Sequence, residues 1–484
     1  MKHIKPRYGR LLGWALLLCG LLLWTAGCRV RPPETEITAP PDAITTLPPD
    51  TTAPPEDMAP PPLTLPPSSA DTRPIPVLSV VTEGQALILS RAQYIKATLT
   101  VYPTADTSSE ESITLPCSIR GRGHSSFQYS EDLTDYKSKN SYRVKLEESA
   151  ALLPHREGER DRDWVLISCK NDASALRNHL VWDLARRMGT LPYVPDYTWV
   201  ELYLNGDYRG LYLLTEQIEV DGDRVDIDDR ASTDPADVGY LLEYDFRGDI
   251  ESNAREGLTY FYLPDTNPEV EWVIKSRVYT KAETAAIRDH LLACHEAILS
   301  GDRARMEELI DLPSFVDMFI LQELSKNPDV GTSSFYVQRD AGGKLYLTAP
   351  WDFDFGFGTY SAGVSPMGLV SNGDEVPPHP WFATLIGQSW FVEAVQARME
   401  EISPLLTQTL STLDALEPTL TPAADRNHER WGIYGVKYNK YVSSRFSIRA
   451  KDYADHVKLL KGWIEKRISQ MNLILQRAAE TADP

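Results

Sequence analysis

The 484-residue chain carries 49 Lys and Arg against 69 Asp and Glu, a net charge of −20, and is 42% hydrophobic with 11 Trp and 23 Tyr. That content builds a sizeable core, in one large domain or two to three smaller ones, and excludes a wholly disordered chain. The acidity serves solubility and argues against nucleic acid as a partner, which needs a basic face; basic patches are local, around Arg120, Arg122, Lys137, Lys139, Arg143 and Lys145.

Residues 1–28 read as a targeting segment. Lys2, Lys5, Arg7 and Arg10 form a positive region, and Leu11 to Trp24 form an apolar one too short to span a bilayer comfortably. Thr25-Ala26-Gly27-Cys28 resembles a bacterial lipoprotein cleavage box, although its first position departs from the usual leucine. Cys28 is then the lipidated residue, and the expected location is the extracytoplasmic side of the cell membrane; an uncleaved anchor helix is the alternative and gives the same side. Residues 29–76 hold fifteen of the 35 prolines, without helix or strand periodicity. They read as a disordered tether, reaching on the order of 100 Å at ~3 Å per residue. Beyond Cys19 and Cys28, the remaining Cys117, Cys169 and Cys294 are too few and too far apart for a disulfide framework or a zinc site, and read as small core residues.

From residue 77 the chain reads as globular. Strands are predicted over 87–102, 113–119 and 141–146, with the glycine-rich run RGRGHSS at 120–126 between the last two. Leu176, Leu180, Leu184 and Met188 recur every four residues and predict a helix over 174–188, ended by Gly189. WVELYLNGDYRGLYLLTE predicts a hairpin with Asn205-Gly206 at its tip. Strands follow at 239–245, 258–263 and 270–275, then helices over 282–299, 313–325, 390–411 and 451–478. The fold class expected is α+β, with a strand-rich half over 77–280 and a helical half over 281–484.

Between Asn327 and Gly358 the sequence is NPDVGTSSFYVQRDAGGKLYLTAPWDFDFGFG. SFYVQR and KLYLTAPW are strand-like, and Asp340–Gly343 between them is turn chemistry, so a hairpin should bring Asp329 and Asp352 close together. Asp354, two residues on, should share a strand face with Asp352. Neighbouring carboxylates cost electrostatic energy unless a cation or proton offsets it, and hard oxygen ligands favour Mg²⁺, Mn²⁺ or Ca²⁺. The alternative is a set of structural acids in turns.

RGRGHSS from Arg120, KNSYRVKL from Lys139, DASALRN from Asp172, VELYLNGDYRGLYLLTEQI from Val200, GYLLEYD from Gly239 and PWDFDFG from Pro350 resemble, in order, the CotH kinase family, named for spore coat protein H. The resemblance spans roughly residues 115–475. It implies an atypical protein-kinase-like two-lobe fold and ATP-dependent phosphorylation of serine with Mg²⁺ or Mn²⁺. Carried over, Asp329 is the catalytic aspartate, Asp352 the metal ligand, and Asp354 a second ligand. Lys145 is the candidate partner of the nucleotide phosphates, or else a solvated strand lysine; its own acidic partner is open between Glu216 and Asp183. Gly121 and Gly123 would present backbone N–H groups to phosphate, with Arg120 and Arg122 adding charge. Glu243 lies at the hinge beside adenine, or is a buried acid paired with an arginine. Protein kinases place a metal-binding Asn five residues after the catalytic aspartate, and here that position is Ser334, a weaker ligand.

Two functions compete. One is a surface-anchored kinase acting on an extracytoplasmic protein substrate or surface polymer. The other is a non-catalytic binding module or adhesin, with Trp351, Trp381 and Trp431 supplying contacts. Clustered acids favour the first; Ser334 and the scarcity of ATP outside the membrane favour the second.

Overall fold

A computed structural model describes residues 74–481, apart from 103–111, 124–125, 128–137, 154–159, 231–232, 247–258, 279, 362–363, 374 and 438–440. The targeting segment, Cys28, Lys137 and nearly all of the proline-rich stretch lie outside the described residues.

Seven strands close into a barrel: β1 (Val77–Thr82), β2 (Ile95–Tyr102), β3 (Ile113–Arg122), β4 (Ser141–Ala150), β5 (Asp161–Ile167), β6 (Tyr197–Leu204) and β7 (Asp207–Glu216). The order is β1-β2-β3-β4-β5-β7-β6, and a parallel β1–β6 pair, Val77 opposite Glu201, completes the ring. Closure leaves no exposed strand edge in this sheet. Alternate side chains such as Leu99, Ile119, Val144, Leu166 and Leu202 fill the interior. The β6–β7 turn is the predicted one: Asn205 and Gly206 both take positive φ, at 50° and 79°, as a tight hairpin with the right-handed strand twist requires. Strand β2 starts at Ile95 rather than Leu87, because Ser90 turns the chain by accepting hydrogen bonds from the backbone of Ala92 and Gln93.

Helix α1 (Arg177–Met188) leaves the barrel between β5 and β6. It begins three residues later than the periodicity predicts, because Asp172 accepts hydrogen bonds from the backbone N–H groups of Ser174, Leu176 and Arg177 and holds them in a turn.

A second sheet runs in the order β12-β11-β8-β10-β9, from β8 (Tyr240–Asp245), β9 (Tyr260–Phe261), β10 (Glu271–Ile274), β11 (Phe335–Arg339) and β12 (Tyr346–Thr348). It therefore joins strands from both sides of residue 280. Helices α2 (Lys281–Ser300), α3 (Arg303–Leu309), α4 (Leu312–Ser325), α5 (Pro380–Leu385), α6 (Ser389–Glu401), α7 (Ser403–Trp431), α8 (Ser444–Ser447) and α9 (Tyr453–Thr481) make up most of the rest. Their apolar faces and this sheet share one large core with α1, rich in Trp182, Trp272, Phe315, Phe319 and Trp381. The fold is α+β with a strand-rich N-terminal half. Cys117, Cys169 and Cys294 are buried free thiols. Among the described residues, no helix is long and apolar enough to cross a membrane.

Candidate active site

Asp329 follows directly from the end of α4. That helix stops because Lys326 adopts a left-handed conformation, φ 49°, and its backbone N–H caps Gln322 and Glu323. Asn327 then accepts the N–H of Asp329, whose own carbonyl receives the N–H groups of Thr332 and Ser333, 2.9 Å each. The turn delivers the chain through Ser334, φ 58°, into β11.

The hairpin of β11 and β12 forms as expected, with Tyr336 opposite Thr348. The acids do not lie on it. Strand β12 ends at Thr348, and Asp352 and Asp354 sit in the irregular segment beyond, so no shared strand face relates them. Ala349, φ 44°, turns the chain directly after β12, and Asp352, φ 63°, keeps the segment irregular beyond it. This loop is held from α1 and the turn before it. Pro350 accepts from the Trp182 indole at 2.6 Å, Phe353 N–H donates to Asn178 at 2.9 Å, and Gly356 accepts from Arg177 Nε at 3.1 Å.

Asp329, Ser334, Asp352 and Asp354 line one cavity of about 1190 Å³, together with Arg120, Arg122, Gly123, Lys145 and Glu243. Asp354 is the most deeply set of the three aspartates, 7% exposed. Burial first, then the negative charge of Asp352, pushes its carboxyl well above the usual carboxylate range; Asp329 and Asp172 add to the rise. Asn171 opposes it by donating an amide hydrogen bond of 3.0 Å to Asp354 Oδ2. The other oxygen, Oδ1, is buried with no hydrogen-bond partner among the described residues. Such an oxygen is costly to bury unless something occupies it. Oxygen-only donors under mutual repulsion suit Mg²⁺ or Mn²⁺, which take one or two carboxylates and complete their shell with water and phosphate. Among the described residues, no group of three or more His, Cys, Asp and Glu is placed to hold a metal ion by itself.

The basic side of the cavity departs from expectation at several points. Lys145, 44% exposed, pairs with Asp163 of β5 at 3.2 Å, and Arg143 shares that carboxylate at 2.8 Å. Glu216 and Asp183 are engaged elsewhere, the first by Tyr193 and the backbone of Asp196, the second by Arg187. Gly121 does not line the cavity: its N–H donates to Ser90 at 2.9 Å, and a Cβ there would strike the Phe127 ring at 2.2 Å. It is a packing glycine in β3 and has no N–H to offer phosphate. Gly123 does line the cavity, with φ 83°. Arg120 stacks on Tyr94 and donates to two backbone carbonyls, those of Arg91 and Gly121. Arg122 stacks on Trp351 at 4.8 Å, beside the acidic loop. Lys139 is buried, donating to the Leu211 carbonyl at 2.7 Å, and belongs to no surface patch.

Glu243 faces the cavity from the middle of β8, where Lys275 at 2.5 Å and the Tyr336 hydroxyl at 2.6 Å contact it. Of the tryptophans expected to supply surface contacts, Trp381 is fully buried, Trp351 is 4% exposed at the cavity, and Trp431 is half-buried between Arg209 and Arg430. Sequence reasoning missed Asn171, Asp163 and Lys275. Asn171 had a signal, since it stands one residue before the DASALRN run; the other two are set by strand register, Lys145 opposite Asp163 and Glu243 opposite Val273, two residues before Lys275.

A family model described as CotH kinase protein matches residues 119–471, which span the barrel from β3, the second sheet, the acidic loop and the helices through most of α9. Among curated proteins, no match is found. With most of the chain and every cavity residue from Arg120 onward inside that match, the chain belongs to the CotH kinase family.

Proposed function

We propose that this chain is an atypical kinase that transfers the γ-phosphate of ATP to a serine or other hydroxyl acceptor on an extracytoplasmic protein or surface polymer, held at the membrane by lipid on Cys28. The observation that carries the reading is the shared cavity: three aspartates, one with a buried unpartnered oxygen, together with Arg122 and Lys145. Its volume of about 1190 Å³ leaves room for a nucleotide and an acceptor side chain together.

Asp352 and Asp354 are the residues to hold Mg²⁺ or Mn²⁺, which when bound would neutralise charge on the phosphates. Arg122 and Lys145 offset further phosphate charge, and Glu243 with Lys275 and Tyr336 forms a polar wall. The acceptor oxygen bonds to the γ-phosphorus as the bond to the β–γ bridging oxygen breaks, and ADP leaves. Asp329 orients the hydroxyl and takes its proton.

The test incubates the purified protein with γ-labelled ATP, Mg²⁺ or Mn²⁺, and serine-containing acceptors, beside Asp329→Ala and Asp352→Ala. Both variants should lose about 10²–10⁴-fold in transfer. Equal labelling in all three ends the kinase reading. Nucleotide binding that requires metal but gives no transfer favours a binding protein on this fold. Mass spectrometry of the mature N-terminus checks the lipid.

A further inference from the structure

Asn171 lies within the link from β5 to α1 and is 3% exposed. It is far in sequence from the acidic loop, yet it lines the same cavity and contacts Asp354 directly. In that 3.0 Å contact the amide nitrogen of Asn171 faces Asp354 and donates to it. The amide is itself well anchored. The next residue, Asp172, binds the N–H groups of Ser174, Leu176 and Arg177 and pairs with the Arg177 guanidinium, and Arg177 then reaches the Gly356 carbonyl of the acidic loop. Asn178, one residue further, holds Phe353, the residue between the two aspartates. A rigid turn and the first turn of a helix therefore grip the loop on both sides of Asp354.

We propose that Asn171 is a positioning residue: by occupying Oδ2 of Asp354 it locks that carboxylate's rotamer and reserves the unpartnered Oδ1 for a divalent cation. This rests on reading the cavity as a metal–nucleotide site. Ser334, at the position where protein kinases carry a metal-binding Asn, offers a weaker oxygen, and an Asn that orients a carboxylate from another element strengthens the remaining ligand set. Outer partners of this kind govern metal affinity more than they govern folding.

The experiment titrates Mn²⁺ by electron paramagnetic resonance into the full-length protein with ADP present, for wild type, Asn171→Ala and Asn171→Asp, with metal-free ADP affinity measured alongside. Both variants should bind Mn²⁺ about 10–100-fold more weakly, while metal-free ADP affinity stays at the wild-type value. In an Asp354→Asn background, Asn171→Asp should cost nothing further, because its effect passes through that carboxylate. Wild-type Mn²⁺ affinity in both single variants, or an equal further loss in the Asp354→Asn background, overturns the assignment and leaves the metal site standing. If both variants unfold without metal, the role is structural and the assignment is overturned. A wild-type protein that takes up no Mn²⁺ with ADP overturns the metal site and this assignment together.

Discussion

Five residues around the acidic cavity hold left-handed backbone without being glycine: Lys326 at φ 49°, Ser334 at 58°, Ala349 at 44°, Asp352 at 63° and Phe357 at 51°. Such conformations cost of order 1 kcal/mol each and persist only where the surroundings enforce them. Asp352 sets its negative charge close to Asp354, whose carboxyl suffers both burial and that repulsion. Burial and repulsion at Asp354 therefore cost stability unless a proton or a cation offsets them. Asp352→Asn removes one repelling charge and keeps a side chain that tolerates positive φ. Without metal it should raise the unfolding midpoint, by a few degrees for roughly 1 kcal/mol relieved. With Mn²⁺ and ADP the order should invert, since wild type gains ligand stabilisation that the variant lacks. Thermal unfolding with and without Mn²⁺–ADP checks both signs; a variant less stable than wild type in both conditions would show that Asp352 is a structural acid.

At the scale of elements, most helices and strands were legible because periodicity and turn chemistry agreed, as at Asn205-Gly206 and in the β11–β12 hairpin. Helix α7 was not. It runs unbroken over Ser403–Trp431 although it contains Pro418 and Pro422, residues that read as helix stops. Tertiary packing overrides that signal: Leu413, Leu420 and Ala424 are fully or almost fully buried, and Asn427 receives the Leu211 N–H of β7. The candidate site was legible as residue types and order, but not as geometry. Asp354 was assigned to a strand face because alternation is the default reading after a hairpin, whereas a positive φ at Asp352 is invisible in sequence. Lys145's partner depended on strand register, which pairs it with Asp163 rather than a helical acid. Helix α7 also fastens the barrel: Arg426 makes a two-pronged contact, 2.8 and 2.6 Å, with the fully buried Glu201 of β6, which also accepts from the Tyr208 hydroxyl. Arg426→Ala strands that carboxylate and should destabilise by about 3–5 kcal/mol in urea unfolding. Neither residue lines the cavity, so transfer per folded molecule should be unchanged; a stability loss under about 1 kcal/mol, the level of a surface pair, would refute the fastening role.

Across the whole molecule, the large core is sealed around histidines kept neutral. His179 in α1 is pushed down to about 3 by burial and by Arg186 and Arg187, and His456 in α9 to about 4 by burial and Arg177. His379, the N-cap of α5, is lowered well below its ordinary value by burial and by His295. A folded state that refuses protons which the unfolded chain accepts near pH 6.5 loses stability as pH falls through that value. For His456 the loss runs from about 6.5 down to its folded value of about 4, at ~1.4 kcal/mol per pH unit once the unfolded form is charged. Glu219, raised to about 7 by burial, works against this, because there the folded state binds the extra proton between its folded and ordinary values. Asp354, raised well above its ordinary value, acts in the same sense as Glu219, but His290 and His295 are lowered by burial as well, and five histidines outweigh two carboxylates, so stability should fall between pH 6.5 and 5. Depressed carboxylates such as Asp172 add their loss only below their ordinary value of 3.8. Urea unfolding at pH 7, 6 and 5 should show that decline, and His456→Gln should lessen its slope by about one proton. An unchanged slope in His456→Gln would mean that His456 already carries its proton in the folded protein, against the burial and the neighbouring Arg177 that the structure gives it.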